Sequence, residues 1–288
     1  MEKFLESMNM ITGTVKNLEE ISKESFLKND ENRQLIPNRK EVVKVIKDLQ
    51  SLLFPNYFKH SEGSENVLSQ TELLLNIYSR LAEQIRGACE FNGTQMCCSP
   101  EEICNKFIAE LPNVKRLLVK DIEAIYEGDP AAKCHEEVLI CYPGFYAISI
   151  YRIAHVLYTL KVPLIPRIMT EFAHEKTGVD IHAGATIGEY FCIDHGTGIV
   201  IGETTTIGNR VKIYQGVTLG AKSFKIDENG NPVKDIKRHP DIGNNVVIYA
   251  NATILGGDTK IGDNCVIGGN TWLTKSVEDG QTIYYDGK

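Results

Sequence analysis

Residues 179–199 read VDIHAGATIGEYFCIDHGTGI, and this stretch decides the fold because its isoleucines recur every six residues. The same spacing returns further along the chain. The runs are Ile181, Ile187, Ile193 and Ile199; Ile201, Ile207, Ile213 and Leu219; Ile242, Ile248 and Ile254; and Ile261, Ile267 and Leu273. A period of six fits neither an amphipathic helix nor a half-buried strand, and a fixed internal repeat indicates a repeat architecture.

A triangular coil explains this period. Roughly six residues form one flat face, on which one aliphatic side chain points inward, and small or turn-forming residues occupy the corners. About eighteen residues then close one turn, and stacked turns share a continuous apolar core. A β-sandwich would show alternation with period two instead. The spacing therefore predicts a parallel β-helix of hexapeptide repeats.

The repeat slips at three places, which are residues 199–201, residues 254–261 and a long excursion at about residues 221–241. Insertions in a solenoid lie on its surface and often carry function. The first slip, at residues 199–201, comes shortly after Asp194 and His195. Because a buried charge is costly, we expect the slip to turn this carboxylate and this imidazole outward, away from the apolar interior.

The first half of the chain has helical spacing instead. Val42, Ile46, Leu49 and Leu53 follow a three-and-four pattern that Pro55 ends. Further helices are predicted after two serine–glutamate capping boxes and over two later apolar runs, whereas the first 38 residues are only loosely helical in pattern. These features lie at Ser69–Glu72, Ser99–Glu102, 114–126 and 146–160. The sequence predicts an α+β protein with an N-terminal α-helical domain over residues 1–175 and a β-helix domain over residues 176–288.

Composition sets limits on function. The chain has 288 residues, 42% hydrophobic and 24% charged, and a formal net charge of −7 at pH 7. This charge gives no general attraction to polyphosphate, so nucleic acid is not an expected partner. We find no signal-peptide pattern and no membrane-spanning pattern, and the eight cysteines lack a disulfide framework or a CxxC pair. We therefore expect a cytoplasmic protein with reduced thiols.

Several segments together resemble the serine acetyltransferases, the enzymes that make O-acetylserine on the route to cysteine. The segments are EGDPAA at 127–132, YRIAH at 151–155, VDIH at 179–182, DHGTGIVIGET at 194–204, YQGVTLG at 214–220 and RHP at 238–240. In that family the β-helix is left-handed and forms trimers, which often pair through the helical domain as hexamers. The resemblance implies a homotrimer or a dimer of trimers, with acetyl-CoA as co-substrate in a groove between coils and subunits.

The resemblance also assigns the chemistry. His195 matches the family's general base, since an imidazole can take the serine proton and return it to the departing thiolate. Asp180 matches the aspartate that holds the other ring nitrogen, although fifteen residues separate the two and the spacing does not settle how they meet. Glu203 is a candidate for assisting catalysis.

A serine zwitterion needs both charge signs in one site. The resemblance gives Asp129 and Asp194 to the ammonium group, and Arg238 with His239 to the carboxylate and hydroxyl, and these charges suit those partners. Contacts with acetyl-CoA are expected mainly through backbone groups at positions with small side chains, which are Gly220, Ala221, Ala250 and Gly269. The shared charged groups are also compatible with feedback inhibition by L-cysteine.

Other functions fit parts of this pattern. The same fold could acetylate a sugar or another hydroxyl acceptor, but the zwitterion-binding set would then have no role. A γ-type carbonic anhydrase would need His182, His195 and His239 to converge on zinc across a trimer interface, and the rest of its pattern is missing, so no metal is expected. The chain stops soon after its last repeat, so a complex with O-acetylserine sulfhydrylase through a C-terminal tail is not expected.

Overall fold

The structure is a computed structural model that describes residues 1–24, 36–58, 69–92, 98–234 and 236–285. Within these ranges the chain forms seven helices followed by fourteen short strands. The helices are α1 (Glu2–Glu24), α2 (Arg39–Leu53), α3 (Gln70–Asn92), α4 (Pro100–Gly128), α5 (His135–Cys141), α6 (Pro143–Thr159) and α7 (Ile165–Thr177). The last helix ends two residues beyond the predicted domain boundary at residue 175, at the left-handed Gly178.

The predicted capping boxes are confirmed. At the start of α4 the Ser99 hydroxyl accepts from the Glu102 backbone N–H at 3.1 Å, and the Glu102 carboxylate accepts from the Ser99 N–H at 2.9 Å. Ser69 and Glu72 form the same pair of bonds before α3. Both pairs satisfy backbone donors that the first helical turn leaves without a partner.

One helical prediction was wrong in detail, and another was incomplete. The runs after Ser99 and over residues 114–126 were predicted as separate helices, but α4 is a single helix of 29 residues that continues through Pro112. Proline removes one intrahelical bond, yet Leu111 and Val114 on either side are buried, and this packing holds the helix together. The loosely patterned N-terminus contains the 23-residue helix α1, whose large apolar side chains are exposed.

The strands build three parallel sheets that form the faces of a coil. The strands are β1 (Asp180–Ile181), β2 (Thr186–Ile187), β3 (Cys192–Asp194), β4 (Val200–Ile201), β5 (Thr206–Ile207), β6 (Lys212–Tyr214), β7 (Thr218–Gly220), β8 (Asp241–Ile242), β9 (Val247–Ile248), β10 (Thr253–Leu255), β11 (Lys260–Ile261), β12 (Val266–Ile267), β13 (Trp272–Leu273) and β14 (Thr282–Ile283). Sheet 1 has the order β1-β4-β7-β10-β13, sheet 2 the order β2-β5-β8-β11 and sheet 3 the order β3-β6-β9-β12-β14.

The strand register confirms the repeat and its slips. Val200 pairs with Thr218, eighteen residues later (218 − 200), which is one regular turn. The first turn has two residues more, because Asp180 pairs with Val200 (200 − 180 = 20), and Ile201 rather than Ile199 stacks on Ile181. The excursion at residues 221–240 lies between β7 and β8, where the chain passes from sheet 1 to sheet 2.

The helical half packs directly on the first turns of the coil. The Arg152 guanidinium on α6 binds the Asp121 carboxylate on α4 at 3.0 Å and donates to the backbone carbonyls of Ile187 and Gly188. Asp121 also accepts from the Phe191 N–H. Arg152 and Asp121 are both buried, so the pair fixes the helices against the coil. The buried apolar residues of both halves form one continuous cluster.

Among the described residues, each helix is either too short or too polar to cross a bilayer.

Candidate active site

The predicted site residues lie mainly at two corners of the coil. The His195 corner joins sheet 3 to sheet 1 and contains residues 195–199, 215–217, 249–252 and 268–271. The Arg238 corner joins sheet 1 to sheet 2 and contains residues 182–185, 202–205, 221–240 and 256–259. The strands of sheet 1 run from the His195 corner to the Arg238 corner, so the two corners lie at opposite ends of these strands.

His195 owes its position to the first slip. Five residues, 195–199, join β3 to β4, whereas three, 215–217, join β6 to β7 one turn later. The extra residues let the backbone of His195 enter the left-handed region (φ 58°), and its side chain is 73% exposed. Histidine is among the non-glycine residues that tolerate this conformation. The slip therefore turns the imidazole outward, as the sequence predicted.

A small acidic cluster lies beside His195. One oxygen of Asp194 is 3.7 Å from His195 Nε2, and the other is 2.9 Å from Lys212 Nζ on the next turn. Lys212 also donates to the Gly128 carbonyl at 2.6 Å, at the end of α4. Asp129, the next residue, accepts from the Tyr142 hydroxyl at 2.7 Å. The helical domain thus completes the corner.

The charges in this cluster are fixed by their neighbours. The hydrogen bonds from Tyr142 and from the Ala131 N–H lower the pKa of Asp129, and the same contact raises the pKa of Tyr142 to about 12. Burial disfavours the charged form of Lys212, but its interactions with Tyr214 and Asp194 outweigh burial and raise its pKa to about 12. Two carboxylates and one ammonium leave one net negative charge, which matches the ammonium group of an amino acid.

Lys212 and Tyr142 were missed by the sequence reasoning. Lys212 occupies an outward strand position, and its register partner is Cys192, two residues before Asp194. The proximity of Lys212 to Asp194 could be predicted only if the first turn were known to contain twenty residues. The Tyr142 contact with Asp129 depends on how the end of α4 and the start of α6 pack within the helical half, for which the sequence carries no periodic signal.

The Arg238 corner holds a second hydrogen-bonded cluster. Arg238 Nη2 binds Glu203 Oε2 at 2.5 Å, and the Tyr158 hydroxyl donates to the other Glu203 oxygen at 3.0 Å. His239 Nδ1 accepts from the Thr204 N–H at 3.1 Å, which leaves Nε2 as the protonated nitrogen of the neutral ring. The Thr204 hydroxyl in turn accepts from the backbone N–H groups of Arg238 and His239. Thr204 and Tyr158 were also missed.

The protonation states at this corner follow from burial and from Arg238. Burial, with the Arg238 charge beside it, lowers the pKa of His239 to about 4. Burial alone would raise the pKa of Glu203, but the hydrogen bonds from Arg238 and Tyr158 lower it. Arg238 is therefore a fixed cation, Glu203 a fixed anion and His239 a neutral donor.

Asp180 does not meet His195 within the chain. It begins β1 on sheet 1, and its carboxylate lies in a group with Glu171 and His174 whose ligand atoms are all within 4.8 Å of one another. No hydrogen bond or ion pair joins Asp180 to His195 among the residues that the structure describes. The charge of Asp180 acts on His182, which places Asp180 electrostatically with the Arg238 corner.

The small residues expected to contact acetyl-CoA are divided between the corners. Ala250 and Gly269 lie at the His195 corner on successive turns, and a β-carbon on Gly269 would lie 3.0 Å from the Ala250 carbonyl. Gly220 and Ala221 lie at the edge of the Arg238 corner, where Gly220 accepts from the Gly256 N–H. Next to them the 221–240 excursion covers a cavity of about 230 Å³ whose lining includes Lys222, Lys225 and Arg238.

The three histidines of the zinc alternative do not converge within one chain. His182 and His239 belong to the Arg238 corner, whereas His195 lies at the opposite end of the sheet 1 strands. His182 also packs edge-on against the Tyr158 ring.

Comparisons with known proteins agree on one family. Residues 60–149 match the family described as "Serine acetyltransferase, N-terminal", and residues 239–275 match "Bacterial transferase hexapeptide (six repeats)". The chain is 47% identical over 260 residues to "Serine acetyltransferase, plasmid" of Synechococcus elongatus, covering 86% of this chain and 81% of that protein. A serine acetyltransferase of Staphylococcus aureus is 45% identical over 163 residues, 57% of this chain and 72% of the relative.

Solved structures give the same result. Entamoeba histolytica serine acetyltransferase 1 in complex with L-cysteine superposes with a TM-score of 0.72 at 35% identity, covering 84% of this chain and 86% of that chain. Neisseria gonorrhoeae serine acetyltransferase in complex with serine gives 0.56 at 28% identity, with 84% and 93% covered. The fold is the expected one, a helical N-terminal region followed by a left-handed parallel β-helix of hexapeptide repeats.

Proposed function

The chain belongs to the serine acetyltransferase family, and we propose that it acetylates the L-serine hydroxyl with His195 as general base, at a site shared by two copies of the chain. Acetyl-CoA is the co-substrate of this acyltransferase. The observation that carries the proposal is the exposed imidazole of His195 beside an acidic cluster with one net negative charge. Such a corner binds the ammonium group of an amino acid and presents a base to its hydroxyl.

The reaction needs one proton transfer in each direction. His195 takes the proton of the serine hydroxyl as its oxygen attacks the thioester carbonyl of acetyl-CoA. The C–S bond then breaks, and the imidazolium returns the proton to the departing thiolate, so that O-acetylserine and CoA leave and the base is restored. A neutral imidazole is required at the start of each cycle.

The two corners offer complementary charges to the amino acid. The His195 corner, with Asp129 and Asp194, accepts hydrogen bonds from the ammonium group. The Arg238 corner offers a guanidinium that can bind a carboxylate through two parallel bonds, and the Nε2–H of His239. The Glu203 carboxylate keeps the guanidinium in place. Together they form a zwitterion site.

A second copy of the chain brings the corners together. Within one chain they lie at opposite ends of the sheet 1 strands, and no hydrogen bond or ion pair links them in the described ranges. A contact between two different surface patches is heterologous, and it forms a ring of identical copies when the rotation between neighbours closes. Three copies of a triangular coil close such a ring, so the proposed assembly is a homotrimer, from which a dimer of trimers can form through the helical domains.

The same arrangement gives Asp180 its partner. Asp180 lies on sheet 1 and its charge acts on His182 of the Arg238 corner, so we expect it to approach the His195 imidazole of the neighbouring copy rather than its own. There its carboxylate would hold the second ring nitrogen and stabilise the imidazolium that forms during the reaction.

Acetyl-CoA would lie along the groove between two copies. Ala250 and Gly269 on one wall, and Gly220 and Ala221 on the other, leave backbone groups open to the amides of the CoA arm. L-cysteine carries the same ammonium and carboxylate groups as L-serine. We therefore expect it to occupy the serine site and to inhibit competitively with L-serine.

The test is the release of CoA thiol with a panel of acceptors, namely L-serine, L-threonine, L-homoserine and simple sugars. L-serine should be strongly preferred, and His195→Ala should lower its turnover by about 10²–10⁴-fold. His135→Ala removes another exposed imidazole and serves as the matched control. Turnover of a sugar without turnover of L-serine would overturn the substrate, and full activity of His195→Ala would overturn the base.

A further inference from the structure

Lys212 takes no part in the proton transfers above, and it has entered the account only through its charge. Its Nζ lies 2.9 Å from Asp194 Oδ2 and 2.6 Å from the Gly128 carbonyl, and it lies 4.4 Å from the centroid of the Tyr214 ring. The side chain is 17% exposed. Lys212 is therefore a cation fixed by contacts with both the coil and the end of α4, and the Asp194 carboxylate lies between it and His195.

Asp194 has two oxygens and two neighbours that compete for it. Oδ2 binds Lys212, and Oδ1 is 3.7 Å from His195 Nε2, a distance longer than a hydrogen bond. Without a cation on Oδ2, the carboxylate would be free to turn to His195 and stabilise its imidazolium. A base that is already protonated cannot accept the serine proton.

The other charged groups around His195 include Asp180 of a neighbouring copy, which the shared site would bring to the second ring nitrogen. That carboxylate would itself favour the imidazolium, and Asp194 would add to its effect. Asp129 at the end of α4 acts on both His195 and Lys212, while Tyr142 at the start of α6 is bonded to Asp129. On β3 the buried Cys192 thiol has its pKa raised to about 12 by burial, so it stays neutral. Lys212 is the positive charge of this group, and with it the corner carries one net negative charge instead of two.

We propose that Lys212 is a positioning residue that holds Asp194 away from His195 and so limits how strongly the corner favours the imidazolium over the neutral base. This inference rests on the proposed role of His195. It also reserves the single net negative charge of the corner for the ammonium group of the substrate, because an imidazolium in the corner would compete for that charge.

The test compares pH profiles of kcat/KM for L-serine in the full-length enzyme and two variants. Lys212→Gln keeps a hydrogen-bond donor but removes the charge, so the acid limb should move to higher pH by about 0.5–1 unit at low salt, and high salt should reduce this shift. Lys212→Arg keeps the charge and should keep the wild-type limb. Lys260→Gln removes an exposed lysine from sheet 2 and is the matched control.

A merely structural lysine would behave differently. If Lys212 only ties Gly128 to the coil, Lys212→Gln would lower kcat and the melting temperature while the acid limb stayed in place, and the inference would be overturned. An acid limb that moved equally in Lys260→Gln would overturn it too, because the effect would then be one of net charge.

A second readout does not use activity. The pH dependence of His195 modification by diethyl pyrocarbonate, followed by mass spectrometry of the His195 peptide, reports the unprotonated ring directly. Its midpoint should rise in Lys212→Gln and stay unchanged in Lys212→Arg. An unchanged midpoint in Lys212→Gln overturns the inference, whereas full activity of His195→Ala overturns the proposed base instead, so the two failures are distinguishable.

Discussion

Replacement of Gly202 by alanine tests how closely the coil holds His239 and Arg238. Gly202 follows β4 at the Arg238 corner, directly against the His239 ring. A β-carbon at Gly202 would lie 2.1 Å from His239 Cδ2 and 2.2 Å from Nε2. Carbon atoms pack at about 3.5–4.0 Å, so the ring would have to move by more than about 1 Å. His239 is only 8% exposed, and the movement must carry its neighbour Arg238 with it.

The size of the effect follows from this displacement. Overpacking a filled site costs about 1–3 kcal/mol in the free energy of unfolding. Misplacing a substrate-binding group by about 1 Å can lower the rate by about 10²-fold, so we expect a loss of that order in kcat/KM for L-serine. The assay is CoA thiol release at varied L-serine, together with urea denaturation of the same preparation.

Two controls separate the clash from a general effect of the substitution. A β-carbon on Gly13, inside α1, would meet no atom within 4 Å, so Gly13→Ala should leave activity unchanged and should not lower stability. In a His239→Ala background the clashing ring is gone, and adding Gly202→Ala should cost little more. Wild-type kcat/KM in the single Gly202→Ala variant would refute the reasoning.

Three further predictions follow from buried contacts. Burial and Arg238 lower the pKa of His239 from 6.5 to about 4. The free energy of unfolding should therefore be at its full value above about pH 6.5 and fall as the pH drops toward 4. Urea denaturation at several pH values measures this dependence, and a flat profile would contradict it. Tyr158→Phe removes the hydrogen bond to Glu203, the carboxylate that holds Arg238 in place. Such a bond contributes about 1 kcal/mol, so its loss should raise the KM for L-serine roughly fivefold and leave the KM for acetyl-CoA unchanged. Asp121→Asn leaves the buried Arg152 charge without its partner and should lower stability by about 3–5 kcal/mol, whereas a change below about 1 kcal/mol would contradict a buried ion pair there.

The coil could be predicted from sequence because each turn obeys the same local rule. One aliphatic residue per face must be buried, so the spacing of isoleucines alone defines the faces and shows where the register slips. The helical half obeys no such rule. The apolar runs on either side of Pro112 were predicted as separate helices, but tertiary packing on both sides of this residue keeps α4 continuous.

The site was predictable to the extent that its residues adjoin a slip or carry a family motif. The outward position of His195 follows from the two extra residues in its corner. The contacts of Lys212 and Tyr158 depend on how the helices dock against the coil, and the contact of Tyr142 with Asp129 depends on how α4 and α6 pack on each other. No periodic pattern encodes either arrangement. The separation of the two corners was also invisible, because strand order around the coil appears only once the turns are closed.

The measurement that tests the account most directly is complementation between two inactive variants. His195→Ala damages one corner and Arg238→Ala the other, so each homotrimer alone should be inactive. In a mixed trimer one interface joins an intact His195 corner to an intact Arg238 corner. Random mixing of equal amounts by co-expression should therefore restore about a quarter of the wild-type activity. A co-expressed mixture as inactive as the separate variants, with mixed trimers shown to be present, would contradict a site shared between copies.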